Sequence, residues 1–215
     1  MKTALCIKKD TSIKNIDDVL NKPSFLMPRE GDDNCEENPH VWQLLPYVVL
    51  YRYIKDVTGF PEDVEFLTYR RGGGGGEKRL TSKYSIGFGG HVDTSPQVGE
   101  LMLDHLSREC CRELSEELGI EVTETLFETI RAMLNATCTL IAPTDESTGV
   151  DAHHLGLLVY VNAQELVLGK AEDGHIDELK WMSRQQMLDK FYVLNSDTHK
   201  LENWSDFAFQ NLMAE

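Results

Sequence analysis

Four glutamates, Glu109, Glu113, Glu116 and Glu117, gather around Arg112 in the stretch ECCRELSEELGI. On a helix, Glu113, Glu116 and Glu117 stand at i, i+3 and i+4, so they share one face, with Glu109 a turn earlier on the same side. Like charges so placed cost a few tenths of a kcal/mol per pair on an exposed helix. A cation reverses that balance. Hard divalent ions such as Mg²⁺ or Mn²⁺ take a few carboxylates together with water and phosphate oxygens. Glutamate-rich helices are also common on solvated faces. What marks this one is its company: Gly89-Gly90 upstream, Gly119 downstream and an apolar face opposite.

The helix predicted to carry these acids runs over residues 99–119, with Leu103, Leu106, Cys110, Leu114 and Leu118 spaced three and four apart to pack on a core. Gly119 marks its stop. Upstream, Thr3–Ile7 reads as an edge strand and Ser12–Leu20 as a short helix. Residues Pro28–Pro39 read as a polar loop, and Leu45–Ile54 as a buried strand, with Val64–Arg70 as its antiparallel partner or a continuation of the same meander. The glycine run Gly72–Gly76 reads as a hairpin tip. It lacks the Lys-Ser/Thr ending and following helix of a phosphate-cradling loop. Extended character returns over Glu77–Phe88, and Val122–Ala142 carries strand-like runs. His154–Val161 and Leu179–Met182 read as strands, with helices expected at Arg184–Lys190 and Glu202–Met213. Strands in the middle with helices at several places predict an α/β sandwich around a mixed sheet.

The 215 residues suffice for one sizeable core with a small extension. Residues 1–24 are expected to form an N-terminal strand and helix extension packing on the core, and residues 25–215 the main domain with its C-terminal helices. A formal charge of −15, with no run of five basic residues, argues against long nucleic acid and anionic membrane as partners. A small phosphorylated substrate remains compatible, because metal ions offset charge within one cleft. Five cysteines at 6, 35, 110, 111 and 138 form no CxxC pair, which suggests reduced thiols. The first residues turn polar too soon for a secretory signal, and no apolar stretch approaches the ~20 residues of a membrane span. A cytoplasmic protein is expected.

The sequence resembles the Nudix hydrolase family, whose signature is G-x5-E-x7-R-E-U-x-E-E-x-G-U. Arg112, Glu113, Leu114, Glu116, Glu117, Gly119 and Ile120 match its second half without fault. The first half departs. Gly90, the natural opening glycine, precedes Arg112 by eight residues more than the signature allows. Asp104 keeps the spacing of the early acid but shortens it. Glu100 keeps the Gly-Glu step but stands about one helical turn early, and it is the slightly preferred candidate. The blocks QLLPYVVL (43–50), LTSKYSIGFGGHVD (80–93) and HLGL (154–157) resemble a bacterial and phage branch often labelled only as predicted phosphoesterases. The resemblance covers roughly residues 25–190.

This resemblance implies a Nudix-type α/β/α sandwich and a Mg²⁺- or Mn²⁺-dependent hydrolase. Glu113, Glu116 and Glu117 would hold the metal or activate water, the backbone carbonyl of Gly89 would complete the metal site, and Arg112 would pair with a glutamate to fix its rotamer. The metal would lower the pKa of a bound water while a carboxylate takes its proton. Some members recruit an acid from outside the motif, for which Glu172, Asp177 and Glu178 are candidates. Arg52, Arg70 and Arg71 suit phosphate oxygens, and His91 is placed to reach phosphates or to bond the long loop. His153 and His154 lack a partner cluster at ligand spacing and are not expected to bind metal. Trp181 and Trp204 read as packing. The expected substrate is a nucleoside diphosphate linked to another moiety, or a nucleoside triphosphate. The competing reading is a catalytically silent domain that binds a nucleotide and regulates a partner. Oligomeric state is not readable, and a homodimer is left open.

Overall fold

The computed structural model describes residues 2–55, 61–73, 81–143, 152–171, 174–193 and 200–213. It shows a mixed α/β protein with a central mixed sheet and five α-helices: β1 (Thr3–Lys8), α1 (Ile16–Leu20), β2 (Ser24–Pro28), β3 (Val41–Lys55), β4 (Pro61–Arg71), β5 (Tyr84–Ser85), β6 (Gly87–Phe88), α2 (Met102–Leu118), α3 (Glu124–Thr137), β7 (Thr139–Ile141), β8 (His154–Asn162), β9 (Ile176–Ser183), α4 (Arg184–Leu188) and α5 (Asn203–Met213). Residues 74–80 and Glu172 lie outside the described set, and with them most of the glycine run.

Contacts divide the chain into two units. The first comprises Met1–Val48, Gly89–Glu113 and Val122–Val159. Here β1 is not the edge strand expected from its length. It pairs antiparallel with β2 from Thr3↔Pro28 to Ile7↔Ser24, and with β3 from Cys6↔Gln43 to Lys8↔Val41. Four consecutive buried residues, Ala4–Ile7, suit that internal position, since a strand covered on both faces needs no alternation. The Gln43 amide donates to the His153 carbonyl at 2.8 Å, and β7 pairs antiparallel with β8.

The strand expectation for Val122–Ala142 holds only at β7, because most of that stretch is α3. Thr123 caps the helix by accepting from the Leu126 amide, and Leu126, Ile130 and Leu134 line one buried face at four-residue spacing. That period of four outweighs the local Thr and Ile content.

The second unit comprises Val49–Phe88, Leu114–Glu121 and Tyr160–Glu215. The later part of β3 pairs antiparallel with β4 from Tyr51↔Phe66 to Ile54↔Asp63, as alternation in Val64–Arg70 predicted. Strand β4 in turn pairs with β5 and β9. Its core includes Phe66 edge-on to Phe209 at 5.8 Å and Tyr69 stacked on Phe88 at 5.0 Å. A π-helical turn, Asp189–Val193, extends α4 beyond Leu188. The Ala163 amide donates to the Tyr51 carbonyl.

Helix α2 starts at Met102, not at residue 99. Gly99 has φ +83, and Glu100 folds back to accept from the Gln97 amide, so both lie in a turn ahead of the helix. Leu106, Cys110, Leu114 and Leu118 are fully buried along one side. Each leucine contributes about 1.5–3 kcal/mol by leaving water, which fixes the rotation of the helix about its own axis. Gly119, at φ +61, closes the helix in the left-handed conformation that glycine adopts without penalty.

Candidate active site on helix α2

The carboxylates of α2 differ in environment. Glu109 and Glu113 are buried, Glu117 is half-buried and Glu116 is exposed. Arg112 organises the first two. Its Nε donates to Glu109 Oε2 at 2.9 Å and its Nη2 to Glu113 Oε1 at 2.6 Å. The same Nη2 donates to the main-chain oxygen of His91 at 3.0 Å. One guanidinium therefore ties two helix acids to the loop that follows Gly90, which suits its fork of fixed donors. Glu109 was noted in the sequence only as a like charge one turn early. The structure makes it a partner of Arg112, with Thr94 Oγ1 also donating to it at 3.4 Å.

The paired glycines meet this helix by close approach. A Cβ on Gly90 would fall 2.7–2.9 Å from three atoms of the Glu113 carboxyl group, and one on Gly89 would fall 2.0 Å from the Pro46 carbonyl oxygen. Only a residue without a side chain lets the Gly90 backbone lie against Glu113. Oxygen donors on one helix face, with loop backbone pressed against one of them, form the kind of set a hard divalent cation accepts.

No family model matches the chain. A curated relative does: it is 32% identical over 181 residues to protein YmaB of Bacillus subtilis, covering 84% of this chain and 74% of YmaB. The fold is also similar to the crystal structure of Tm1382, a presumed Nudix hydrolase, with a TM-score of 0.61 at 21% identity over 99% of both chains. The chain belongs to the same family as YmaB and has the Nudix fold. A Nudix hydrolase from Alicyclobacillus acidocaldarius shares the Nudix fold at a TM-score of 0.54 and 16% identity, covering 81% of this chain and 92% of that one.

Within this Nudix-fold chain neither early-acid candidate reaches Arg112. Glu100 bonds Arg108, whose Nη2 donates to Oε2 at 2.9 Å, and lies 3.8 Å from His105 Nδ1. The Arg108 hydrogen bond holds the Glu100 carboxyl down at about 2. Asp104, in the first turn of α2, pairs with Arg131 of α3. Both acids therefore serve to anchor the start of the helix.

The arginines proposed for phosphate contacts are engaged with carboxylates. Arg52 pairs with Glu65, its cross-strand neighbour, and its guanidinium lies 4.4 Å from the Trp181 ring centroid. Arg70 pairs with Glu178 at 3.0 Å and Arg71 with Glu202 at 3.1 Å. Glu178 is exposed at φ +50 and accepts from Tyr84 Oη at 2.7 Å, a bond that pulls its carboxyl below the usual range. Asp177, opposite Arg70 in β9, is likewise exposed. His91 turns from the motif glycines toward His154, the two Nε2 atoms 2.9 Å apart. Burial, with Arg29, His154 and Lys2 adding, depresses the His91 pKa to about 2.

Glu202 was read only as the start of a terminal helix. It is buried, accepts from Ser85 Oγ at 2.7 Å and pairs with Arg71. The phenol of Tyr69, raised chiefly by burial, is raised further by the charges of both Glu117 and Glu202. Nothing in its local sequence signals this, since 85 residues separate Glu202 from Glu117 along the chain.

Proposed function

We propose that the chain is a divalent-metal-dependent hydrolase that cleaves a phosphoanhydride bond, in a nucleoside diphosphate linked to another moiety or in a nucleoside triphosphate. The observation that carries this reading is the acidic face of α2, with Arg112 clamping Glu109 and Glu113 and the Gly90 backbone lying against Glu113. Glu113, Glu116, Glu117 and the Gly89 carbonyl are the donors for Mg²⁺ or Mn²⁺. Such an ion, when bound, offsets phosphate charge and acidifies water.

The chain's own residues set the rest. Arg112 holds Glu109 and Glu113 in fixed rotamers, so the face is preorganised and needs no rearrangement to receive a cation. Glu117, half-buried at the last turn of α2, is the acid assigned to take the proton of the attacking water. Glu202 is preferred to Glu178 as the acid outside the motif, because it is buried and shares the Tyr69 environment with Glu117, whereas Glu178 is exposed and held ionised by Tyr84. The small phosphorylated substrate fits the net charge of −15, which repels longer polyanions. Among the described residues no helix is long and apolar enough to cross a membrane.

A panel of nucleoside triphosphates and nucleoside diphosphate derivatives, assayed with and without Mg²⁺ or Mn²⁺, tests this function. Release of phosphate or a nucleoside monophosphate only with metal is expected. Metal-independent binding without turnover would establish the silent-sensor reading instead.

A further inference from the structure

Glu36, His91 and His154 come from three separate stretches: the loop before β3, the loop after β6 and the first residue of β8. All three belong to the first unit. One ligand atom from each lies within 4.8 Å of the other two. His91 Nε2 is 2.9 Å from His154 Nε2 and 4.0 Å from Glu36 Oε1, with the rings edge to face at 5.0 Å between centroids. A ring nitrogen facing another at that distance must present a lone pair on at least one side. Two imidazoles and a carboxylate converging on one point form a donor set that a borderline metal ion satisfies.

The supports of the cluster resemble those of a built ligand set. Glu36 is oriented by Arg29, whose Nε donates to Oε1 at 2.8 Å, and by Gln43, whose Nε2 donates to Oε2 at 3.3 Å. A carboxylate has enough lone pairs to keep those partners and bind an ion as well. The Arg112 bond to the His91 carbonyl fixes that backbone, and His154 is buried on β8. A second observation is independent of the cluster geometry. Gln43 is fully buried, and among the described residues its Oε1 has no hydrogen-bond partner. An orphaned buried acceptor costs about 1–3 kcal/mol, and this one belongs to the side chain whose Nε2 holds Glu36. The side chains of His91 and Glu36 keep 21% and 25% exposure, so the cluster is open to solvent.

We propose that Glu36, His91 and His154 form a transition-metal site, with Zn²⁺ as the best-fitting ion, separate from the carboxylates of α2. Two nitrogens and one oxygen favour Zn²⁺ or Co²⁺ over Mg²⁺, which prefers oxygen ligands only. Three protein ligands leave a fourth tetrahedral position for water or an exogenous group. The ion cross-links the loop before β3, the loop after β6 and the start of β8.

The test is a Co²⁺ titration of the full chain in excess Mg²⁺, followed by visible absorption. Ligand-field bands saturating at one equivalent, and abolished by one equivalent of Zn²⁺, are expected. Glu36→Gln and His91→Ala should each weaken Co²⁺ binding at least 10-fold, whereas Glu117→Gln should leave the bands unchanged. Far-UV circular dichroism identifies variants that fail to fold, and the near-isosteric Glu36→Gln decides the matter if His91→Ala is among them. Absence of bands overturns the site, as does binding that survives Glu36→Gln but disappears in Glu117→Gln. Neither result bears on hydrolysis by the α2 carboxylates, which the nucleotide panel reads separately.

Discussion

Arg112 donates to the main-chain oxygen of His91 at 3.0 Å, although 21 residues separate them. The bond joins the loop after the paired glycines to the helix that carries the acids, through the group that also holds Glu109 and Glu113. A lysine supplies a point charge but cannot reach three acceptors in a fixed plane. Arg112→Lys should therefore lower kcat by ~100-fold while the thermal midpoint falls by only a few degrees. Equal losses in Arg112→Lys and a distant surface Arg→Lys variant would remove the special role of this clamp.

Gly90→Ala tests the close approach to Glu113. The added methyl group meets the carboxyl group at the end of a flexible side chain, so the chain should fold at a cost of about 1–3 kcal/mol. Glu113 must move to accommodate it. Turnover should fall ~10-fold or more with little change in far-UV circular dichroism, and full activity in this variant would show that the position of Glu113 is unimportant.

Removing the proton acceptor separates chemistry from folding. Glu117 is half-buried, so Glu117→Gln should retain the fold and lose at least ~100-fold in kcat, the usual range for a general base. Activity retained to within a few-fold would transfer the assignment to another acid.

Glu202 and Glu178 are distinguished by a pair of variants. Glu202→Gln keeps the Ser85 hydrogen bond but removes the charge facing Arg71, so both stability and turnover should drop. Glu178→Gln acts on an exposed group and should change kcat by less than ~3-fold. The reverse ranking in a steady-state assay restores Glu178 as the outside acid.

Glu100 predicts a pH dependence of stability. Its folded pKa is depressed to about 2 from 4.5, chiefly by the Arg108 hydrogen bond, so the unfolded chain binds the proton first as pH falls. Its contribution is present above about pH 4.5 and is lost between there and about pH 2. Glu100→Gln should flatten that part of the acid limb in denaturant titrations, and an unchanged slope would exclude the assignment.

Local periodicity made much of this molecule legible from its sequence. The apolar series Leu106, Cys110, Leu114 and Leu118 specified α2 and its acidic side, because a helix face is set by spacing alone. The alternation in Val64–Arg70 specified a strand beside β3 for the same reason. Residues 122–142 misled because short apolar runs with Thr and Ile suit either period, and the packing of Leu126, Ile130 and Leu134 chose the helix. Partners distant in the chain were beyond such patterns. Spacing slightly preferred Glu100 to Asp104 as the early acid, but Arg108 and Arg131 hold both away from Arg112. The approach of Glu36, His91 and His154, and the burial of Glu202 against Ser85, depend on strand pairing and loop closure. The sequence by itself determined the motif, its helix and the sign of its charge, since these follow from spacing within one element. Only the tertiary structure decided which acids and histidines meet, because that contact is made by folding stretches separated by tens of residues onto one another.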